Sequence, residues 1–397
     1  MHRRILAWLF LAILCLGCAP RGRTEETLAT GDKSAEVLEM KKRLQELRYI
    51  EKGQLTRTFT EKTAASLREF QRLNGLPETG ELDARTREAL FSGSAIPRPH
   101  DTLPPLKISG RPELPELPEL DAEGFPVGED GFLFENDEDG LWIWLGRNLR
   151  IVITRLEDNT IPMVWFETEI RTRNGESFRT AMTDPEHPGK KFRYPHEISR
   201  ESRFVLGFSD DFYATRMAKG ETVGVIIRDG QLISRETNSR TGHHLPNLDM
   251  LALYPDGRME VFDCNELSPE ELLARGVKDV FSFGPWLLRN GEINELVYSY
   301  YRNIEPRHAL GMIAPGHYLL LSVQGRTKAS AGASLQRVAE ILRDHGVTEA
   351  LNLDGGNTMA LIFRGRMLNK LAVYKNREFV RTVTSLIGIG STEDQAD

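Results

Sequence analysis

The stretch Ala350-Leu351-Asn352-Leu353-Asp354-Gly355-Gly356-Asn357-Thr358 alternates apolar and polar side chains and then stops at two glycines. Because side chains alternate faces along a strand, Leu351 and Leu353 are predicted to point into a core. Asn352 and Asp354 then share the opposite face. The two glycines lack a Cβ, so the chain can turn sharply there and a ligand can approach the backbone. Taken alone, the stretch is most simply a strand that ends in an Asp-Gly turn.

Length and composition limit the classes of protein that this chain can represent. Its 397 residues exceed one typical domain, so two or more folded units are expected. The formal charge of −7 arises from acidic and basic residues that are mixed along the sequence, and no nucleic-acid partner is predicted. Two of the 3 cysteines lie in the first eighteen residues, which leaves Cys264 alone and no disulfide framework in the mature chain.

Residues 1–17 are predicted to be a signal peptide. Basic residues precede an apolar run, Ile5 to Leu16, that is too short to span a bilayer comfortably. The run ends at Cys15-Leu16-Gly17-Cys18, which resembles a bacterial lipoprotein signal with Cys18 as the lipidated first residue. An ordinary cleaved secretory signal is the alternative. Both interpretations send the protein out of the cytoplasm, and only the first anchors it to a membrane; the predicted location is the bacterial cell envelope.

Residues 18–32 are predicted to be a flexible tether, and helical periodicity begins after them. Apolar residues recur at helical spacing in the first helix, and Thr60 and Asp83 are suitable caps for a second and a third. Residues 33–92 are therefore predicted to form a small three-helix bundle.

This bundle resembles the peptidoglycan-binding domain found in many cell-wall hydrolases. The pattern is carried by Leu44-Gln45, Thr60, Thr63, Phe70-Gln71, Gly75-Leu76, Thr79-Gly80, Asp83, Thr86 and Leu90. The resemblance implies a module that binds peptidoglycan. The alternative is a bundle that kept the fold and lost the ligand.

Residues 93–131 are predicted to be a linker rich in proline and glutamate. The run Pro112 to Leu120 contains three prolines, whose fixed φ and missing amide donors disfavour helix and sheet. Such a segment favours an extended, semi-rigid spacer that holds the two folded units apart.

Residues 132–390 are predicted to form one larger domain. Asn-Gly or Asp-Gly pairs flanked by apolar runs predict hairpins at Asn174-Gly175, Asp229-Gly230, Asp256-Gly257 and Asn290-Gly291. Helices are predicted at Pro269 to Ala274 and at Ser334 to His345. The predicted fold class is therefore multidomain: a small three-helix bundle followed by a larger α+β domain rich in strands.

Four stretches of this domain carry candidate chemistry. They are Phe204 to Tyr213, Phe281 to Pro285, Pro306 to Met312, and the Asn352–Thr358 turn. In the third, Arg307 offers the planar, bidentate donor geometry that suits a phosphate. Together and in this order, the stretches resemble the phosphodiester glycosidase family. Animal members of that family remove N-acetylglucosamine from a phosphodiester and uncover mannose 6-phosphate.

The resemblance implies a hydrolase that cleaves a sugar 1-phosphate ester in an envelope or extracellular glycan. The residues assigned a catalytic role are Asp354, Asp211, Arg307 and Asn352. The residues assigned to substrate binding are Gly355, Gly356, Ser282, Gly284, His308 and Asn357. The sequence departs from the family pattern at Ser209, Asp210, His308, Asn357 and Thr358, which implies an altered specificity, with lost activity as the alternative.

In the predicted mechanism Arg307 holds the phosphate, with help from the amides of the two glycines. Asp354 or Asp211 activates water or stabilises the oxocarbenium-like centre, as paired carboxylates do in glycosidases. Asn352 positions a sugar hydroxyl or Asp354. The alternative is a non-catalytic, wall-associated lipoprotein that binds carbohydrate.

No cofactor and no metal site are predicted, and a divalent cation is left as an alternative. The residues that could ligate one are His243, His244, His308, Asp211 and Asp354. They lack the fixed spacing of a metal motif such as HExxH.

Overall fold

A computed structural model of the chain describes residues 27–50, 54–128, 130–211, 224–236, 248–299 and 303–393. Two compact units divide the chain, Met1–Asp101 and Thr102–Asp397. The predicted lipidation site Cys18 and the His243-His244 pair lie outside the described residues. None of the described helices has both the length and the hydropathy that a membrane span needs.

The first unit is a three-helix bundle, which confirms the predicted fold of this region. Its helices are α1 (Ala35–Glu46), α2 (Glu61–Leu73) and α3 (Ala84–Phe91). Each begins at a side chain that accepts a backbone N–H of the first turn, provided by Ser34, Thr60 and Asp83. One apolar face of each helix meets the others in a core that includes Val37, Met40, Leu44, Leu67, Phe70 and Leu90.

Gln71 organises the connection between α2 and α3. Its side chain is fully buried, and its Oε1 accepts the Gly80 N–H at 2.8 Å. Its Nε2 donates to the hydroxyls of Thr79 at 3.0 Å and Thr86 at 3.1 Å. A buried amide needs such partners. These polar residues of the peptidoglycan-binding pattern are therefore accounted for by the fold itself.

The second unit is built from strands and a few helices. The helices are α4 (Pro195–Glu201), α5 (Pro269–Ala274), α6 (Leu296–Ser299) and α7 (Leu335–Asp344). The strands are β1 (Phe132–Asn136), β2 (Leu141–Leu145), β3 (Leu149–Glu157), β4 (Val164–Thr172), β5 (Arg179–Met182), β6 (Leu206–Phe208), β7 (Gly224–Arg228), β8 (Gln231–Glu236), β9 (Asp249–Leu253), β10 (Met259–Phe262), β11 (Asp279–Phe283), β12 (Trp286–Arg289), β13 (Glu292–Ile293), β14 (Arg307–Ala314), β15 (His317–Val323), β16 (Glu349–Leu353), β17 (Leu361–Phe363), β18 (Arg366–Met367), β19 (Val373–Tyr374), β20 (Arg377–Glu378) and β21 (Ser385–Ile389).

These strands form one large sheet, two smaller sheets and a short hairpin. The large sheet has nine strands in the order β1-β2-β3-β4-β15-β14-β16-β12-β13. The five-stranded sheets have the orders β10-β9-β11-β7-β8 and β18-β17-β6-β21-β5, and β19 pairs with β20 alone. The predicted α+β class, rich in strands, is confirmed.

The main core lies between the large sheet and the two smaller sheets. Leu310, Leu320 and Leu351 contribute to it from the large sheet, and Phe281 and Phe208 from the smaller ones. The other face of the large sheet packs on α7 through a second core. Strand β16 therefore lies in a sheet that is covered on both faces, and all five of its residues are buried.

Three of the four predicted hairpins form. Asp229-Gly230 joins β7 to β8, Asp256-Gly257 lies between β9 and β10, and Asn290-Gly291 joins β12 to β13. The prediction at Asn174-Gly175 is wrong. The turn exists, with both residues at positive φ, but it passes from β4 in the large sheet to β5 in a different sheet. An Asn-Gly turn determines the local reversal and not the partner of the next strand.

The proline-rich segment is not a free spacer over its whole predicted length of 93–131. The backbone N–H groups of Lys107 and Ser109 donate to Asp158 Oδ2 and Glu157 O. Further along, Asp121 forms an ion pair with Arg173 at 2.6 Å, and Leu117 and Leu120 pack on the buried residues of β2. Prolines prevent the segment from forming its own sheet, and its remaining donors and leucines attach it to the β-rich unit.

Candidate active site

The four predicted stretches converge at the carboxyl end of β16. The N–H of Asp354 donates to Asp210 O at 3.0 Å, and the N–H of Gly284 donates to Asn352 O at 3.1 Å. The N–H of Gly356 donates to Pro306 O at 3.1 Å. Each contact joins the opening turn to a different one of the other three stretches, so the fold brings together segments that are remote in sequence.

Asp354 lies at the centre of this convergence. Asp354 is 5% exposed and directly follows Leu353, the last residue of β16. His308 of β14 pairs with Leu353 of β16. The next position of the same register places the backbone of Arg307 beside that of Asp354. The backbones of Asp354 and Arg307 therefore lie on adjacent chain segments where β16 ends.

Asn352 is held by the 284–285 turn and keeps one polar atom unused. Its N–H donates to Pro285 O at 3.2 Å, and its Nδ2 donates to Gly284 O at 2.9 Å. Its Oδ1 is buried and has no hydrogen-bond partner among the described residues. Because buried acceptors are normally satisfied, this atom is a candidate acceptor for a ligand hydroxyl.

Glycine is required at positions 355 and 356 for two different structural reasons. A Cβ on Gly355 would lie 2.5 Å from Pro306 O, so the bare backbone is needed for the turn to approach the β14 segment. Gly356 has a φ of +58°, and its N–H is already used by Pro306. The predicted use of the Gly356 amide as a phosphate donor is therefore not available in this arrangement.

Arg307 is half-buried and shares a face of the large sheet with Asn352. Ala309 pairs with Asn352, so alternate residues of β14 lie on that face. Its Nε donates to Ala333 O at 3.1 Å and its Nη2 to Asn303 O at 2.8 Å. These contacts fix the plane of the guanidinium against the Asn303 and Ala333 carbonyls.

Asp211 forms a buried ion pair that the sequence did not indicate. Its Oδ1 lies 2.9 Å from Arg228 Nη2, and its Oδ2 accepts the Ser282 N–H at 2.7 Å. Asp211 is 2% exposed and Arg228 is 5% exposed. Both carboxylate oxygens of Asp211 thus accept hydrogen bonds from neighbouring segments, as a buried polar group requires. Asp211 therefore positions Ser282.

Ser282 and Gly284, both predicted to bind substrate, serve the architecture of the turn. Ser282 is fully buried, and its Oγ donates to Val225 O at 2.6 Å. Gly284 has a φ of +84°, and a Cβ there would lie 2.9 Å from the Cβ of Asp249. The Gly284 carbonyl oxygen accepts a hydrogen bond from Asn352 Nδ2, and this bond orients the Asn352 side chain.

His308 lies on the opposite face of the sheet from Arg307. It is fully buried beside Phe208, with a ring-centroid distance of 5.7 Å, and its Nδ1 is 2.9 Å from Ser322 Oγ. Burial lowers the pKa of His308 to about 3. The structure thus places this predicted substrate-binding residue in the main core as a neutral imidazole.

We expect His308 to make the protein less stable as the pH falls. Its folded pKa lies below the unfolded value, so unfolding takes up a proton below about pH 6.5 and the stabilisation is lost progressively towards pH 3. Between pH 7 and pH 5 the loss in unfolding free energy is about 2 kcal/mol. Urea denaturation of wild type and His308→Asn at both pH values measures it. An unchanged pH dependence in the variant would contradict the assignment.

Asn357 and Ser209, two departures from the family pattern, both fasten the turn to neighbouring segments. Asn357 Oδ1 accepts from Arg326 Nη1 at 2.8 Å, and its Nδ2 donates to the carbonyls of Ala372 and Phe379. Ser209 Oγ donates to Thr358 O at 2.7 Å across 149 residues of sequence. The predicted ligand contact of Asn357 is thus replaced by contacts to protein.

Sequence reasoning missed several residues of the site. Asp210 is 1% exposed and its carboxylate accepts from Ser385, while Asp249 Oδ2 accepts the Trp286 N–H at 3.0 Å. Arg228 is the last residue of the apolar strand β7 and directly precedes Asp229-Gly230. In the sequence it is therefore taken for part of the turn and not for a residue of the site. A charged residue closing an otherwise apolar strand was the available signal. Within the described ranges, no group of three or more His, Cys, Asp or Glu side chains is placed to hold a metal ion.

Fold and site together define a β-rich domain in which polar residues converge on one turn, preceded in the sequence by a small helical module. Residues 202–390 match the family model described as phosphodiester glycosidase, and residues 33–90 match that of the peptidoglycan binding domain. Both resemblances predicted from the sequence are therefore confirmed.

Individual relatives agree with these matches. The chain is 28% identical over 169 residues to N-acetylglucosamine-1-phosphodiester alpha-N-acetylglucosaminidase of Mus musculus, covering 38% of this chain and 31% of the relative. It is 25% identical over 171 residues to the SPbeta prophage-derived uncharacterized protein YomE of Bacillus subtilis (strain 168), covering 42% of this chain and 26% of the relative. It therefore spans well under half the length of these relatives.

Among solved structures, the catalytic domain of zebrafish N-acetylglucosamine-1-phosphodiester alpha-N-acetylglucosaminidase, auto-inhibited by its pro-peptide, is similar. The TM-score is 0.46 at 21% identity, with 61% of this chain and 83% of that chain covered.

Proposed function

We propose that the second unit hydrolyses a glycosyl phosphodiester, the bond between a sugar's anomeric carbon and a phosphate. The observation that carries the proposal is the convergence of four remote stretches on Asp354, with Arg307 alongside it in the sheet register. The matched family and the activity named for the animal relatives support the same reaction class.

The chain's residues then have distinct roles. Arg307 binds the phosphate, whose charge grows as the anomeric C–O bond breaks and the electron pair leaves on the phosphate oxygen. Asp354 takes a proton from the water that adds to the anomeric carbon, or stabilises the positive charge that develops there. Asn352 accepts a hydrogen bond from a sugar hydroxyl at its buried Oδ1.

The first unit binds peptidoglycan in this proposal, and the substrate is an envelope glycan. The match of residues 33–90 supports the binding partner. The proposed location is the bacterial cell envelope, with export by the N-terminal signal and a membrane anchor through lipidated Cys18. Mass spectrometry of the membrane fraction tests the anchor. A Cys18→Ser variant should lack the mass of the lipid and should no longer be found in the membrane fraction.

A non-catalytic carbohydrate receptor is the second candidate. The buried Asp211–Arg228 pair favours it, because this pair removes one of the two carboxylates that a glycosidase normally uses. Release of free sugar from a panel of glycosyl-phosphodiester substrates decides between the candidates. Turnover supports the hydrolase, whereas binding of the panel without release supports the receptor.

We expect Arg307→Ala to lower kcat/KM on glycosyl phosphodiesters about 10- to 100-fold, the value of one lost charge-assisted contact. Steady-state kinetics with purified protein measure the change. Arg307→Lys is the matched control, since it keeps the charge and should recover part of the loss. Wild-type kinetics in the alanine variant would remove Arg307 from the site.

A further inference from the structure

Next to the Gly356–Thr358 turn, the second unit contains a cavity of about 950 Å³ that the proposed reaction leaves unassigned. Arg326, Lys328 and Lys370 line it as cations, together with His196 and one acid, Glu378. Its remaining lining includes the apolar side chains of Met367, Leu371, Val373 and Val380. A cavity of this size accepts a ligand much larger than one phosphate.

The cavity is connected to the candidate active site through Arg326. Its Nη1 donates to Asn357 Oδ1 at 2.8 Å, and a Cβ on Gly356 would lie 3.7 Å from the same nitrogen. Glu305 holds the other side of the guanidinium at 2.8 Å. Arg326 therefore stands between the turn that carries Asp354 and the cavity.

Asn357 fixes the opposite wall. Its Nδ2 donates to Ala372 O and Phe379 O, and its own carbonyl accepts the Arg381 N–H at 2.8 Å. These bonds tie the β19–β20 hairpin to the turn. Both the cationic side and the hairpin side of the cavity are therefore built onto the same residue.

The charge of this region points to an anionic ligand. Residues 370–381 contain Lys370, Lys375, Arg377 and Arg381 against the single acid Glu378, in a chain whose net charge is −7. Lys328 and Lys370 form no ion pair with the described residues, and both are exposed. Two lysines without counter-ions above apolar side chains suit a ligand that alternates phosphates with carbon chains.

We propose that this cavity is the acceptor-side subsite, which binds a chain of polyol or sugar units joined by further phosphodiesters. The inference rests on the proposed function for the position of the scissile bond. It makes the substrate a glycosylated, phosphate-bearing polymer, with the lysines on its phosphates and the apolar side chains against its carbon backbone.

Binding of a synthetic glycerol phosphate trimer tests the cavity without any turnover. Calorimetry on the full chain should show affinity that falls with added salt and is at least about tenfold weaker in Lys328→Ala/Lys370→Ala. Lys191→Ala, an exposed lysine of the same unit outside the cavity lining, is the control. Equal affinity in wild type and double variant, or equally tight binding of inorganic phosphate, would overturn the proposal.

Turnover links the cavity to the reaction. Two substrates with the same sugar are compared, one with a neutral alcohol as acceptor and one with the glycerol phosphate trimer. The double variant should raise KM at least about tenfold for the second substrate only. An equal effect on both substrates would overturn the subsite. If neither substrate is cleaved, the proposed hydrolase fails while the binding experiment still decides the cavity.

Discussion

Asp354→Asn is expected to lower kcat on a glycosyl phosphodiester roughly 10²- to 10⁴-fold, the range found when a positioned acid or base is removed. Asparagine has nearly the same shape as aspartate, and the backbone bond from residue 354 to Asp210 O does not involve the side chain. The turn should therefore keep its geometry while losing the carboxylate that is proposed to accept the proton of the attacking water.

The measurement is the initial rate of sugar release at saturating substrate, with thermal unfolding recorded for the same preparation. Asp256→Asn is the matched control, because Asp256 lies in an exposed Asp-Gly turn with its side chain 56% exposed. That variant should stay within about twofold of wild type in rate. A normal melting temperature together with a lost rate identifies Asp354 as a catalytic residue.

A different result would redirect the mechanism. If Asp354→Asn kept at least half of the wild-type rate, the proton acceptor would have to be another carboxylate of the convergence. Asp210 would then be the next group to replace, because its backbone contacts Asp354 directly and its side chain is 1% exposed.

Local sequence signals were sufficient for much of the fold. Ser34, Thr60 and Asp83 begin the three helices because a short polar side chain can satisfy an N–H of its own helix. Strand β16 is equally local, since alternation alone predicts which residues enter the main core. Such features depend on neighbours within a few residues and can be read without tertiary structure.

The identity of the groups in the site depended on distant partners. Asp211 appeared as a free carboxylate in sequence, and only the pairing of β7 with β11 brings Arg228 to it. His308 neighbours Arg307 in sequence, but alternation sends the two side chains to opposite faces. The proline-rich segment could be predicted as extended, whereas its attachment to the second unit requires donors and acceptors that no local pattern reveals.

Arg228→Met is expected to destabilise the second unit by about 3–5 kcal/mol, the cost of leaving one charge of a buried pair uncompensated. Asp211 would remain 2% exposed and would lose the guanidinium that lies 2.9 Å from its Oδ1, while its Oδ2 still accepts the Ser282 N–H. Urea denaturation followed by tryptophan fluorescence measures the change. Four of the 5 tryptophans, Trp142, Trp144, Trp165 and Trp286, lie in the second unit, and Trp8 lies in the predicted signal peptide, so the signal of the chain without that peptide reports on the second unit.

Arg343→Met provides the matched control. Arg343 pairs with Asp344 at 3.1 Å, but the two side chains are 49% and 67% exposed. Exposed pairs contribute about 0–1 kcal/mol, so this variant should unfold near the wild-type urea concentration. A similarly small effect of Arg228→Met would show that water reaches the Asp211 carboxylate and would return Asp211 to consideration as a reacting acid.

The double variant Asp211→Asn/Arg228→Met separates a positioning role from a catalytic one. Removing both charges relieves the uncompensated carboxylate, so the double variant should be more stable than Arg228→Met alone. Asparagine can still accept the Ser282 N–H and hold the 282–285 turn against Asn352. If Asp211 only positions that turn, kcat of the double variant should fall by less than about tenfold. Loss of a catalytic carboxylate should instead lower kcat by at least about 10²-fold. A stable double variant with no measurable turnover would instead make Asp211 the second carboxylate of the reaction.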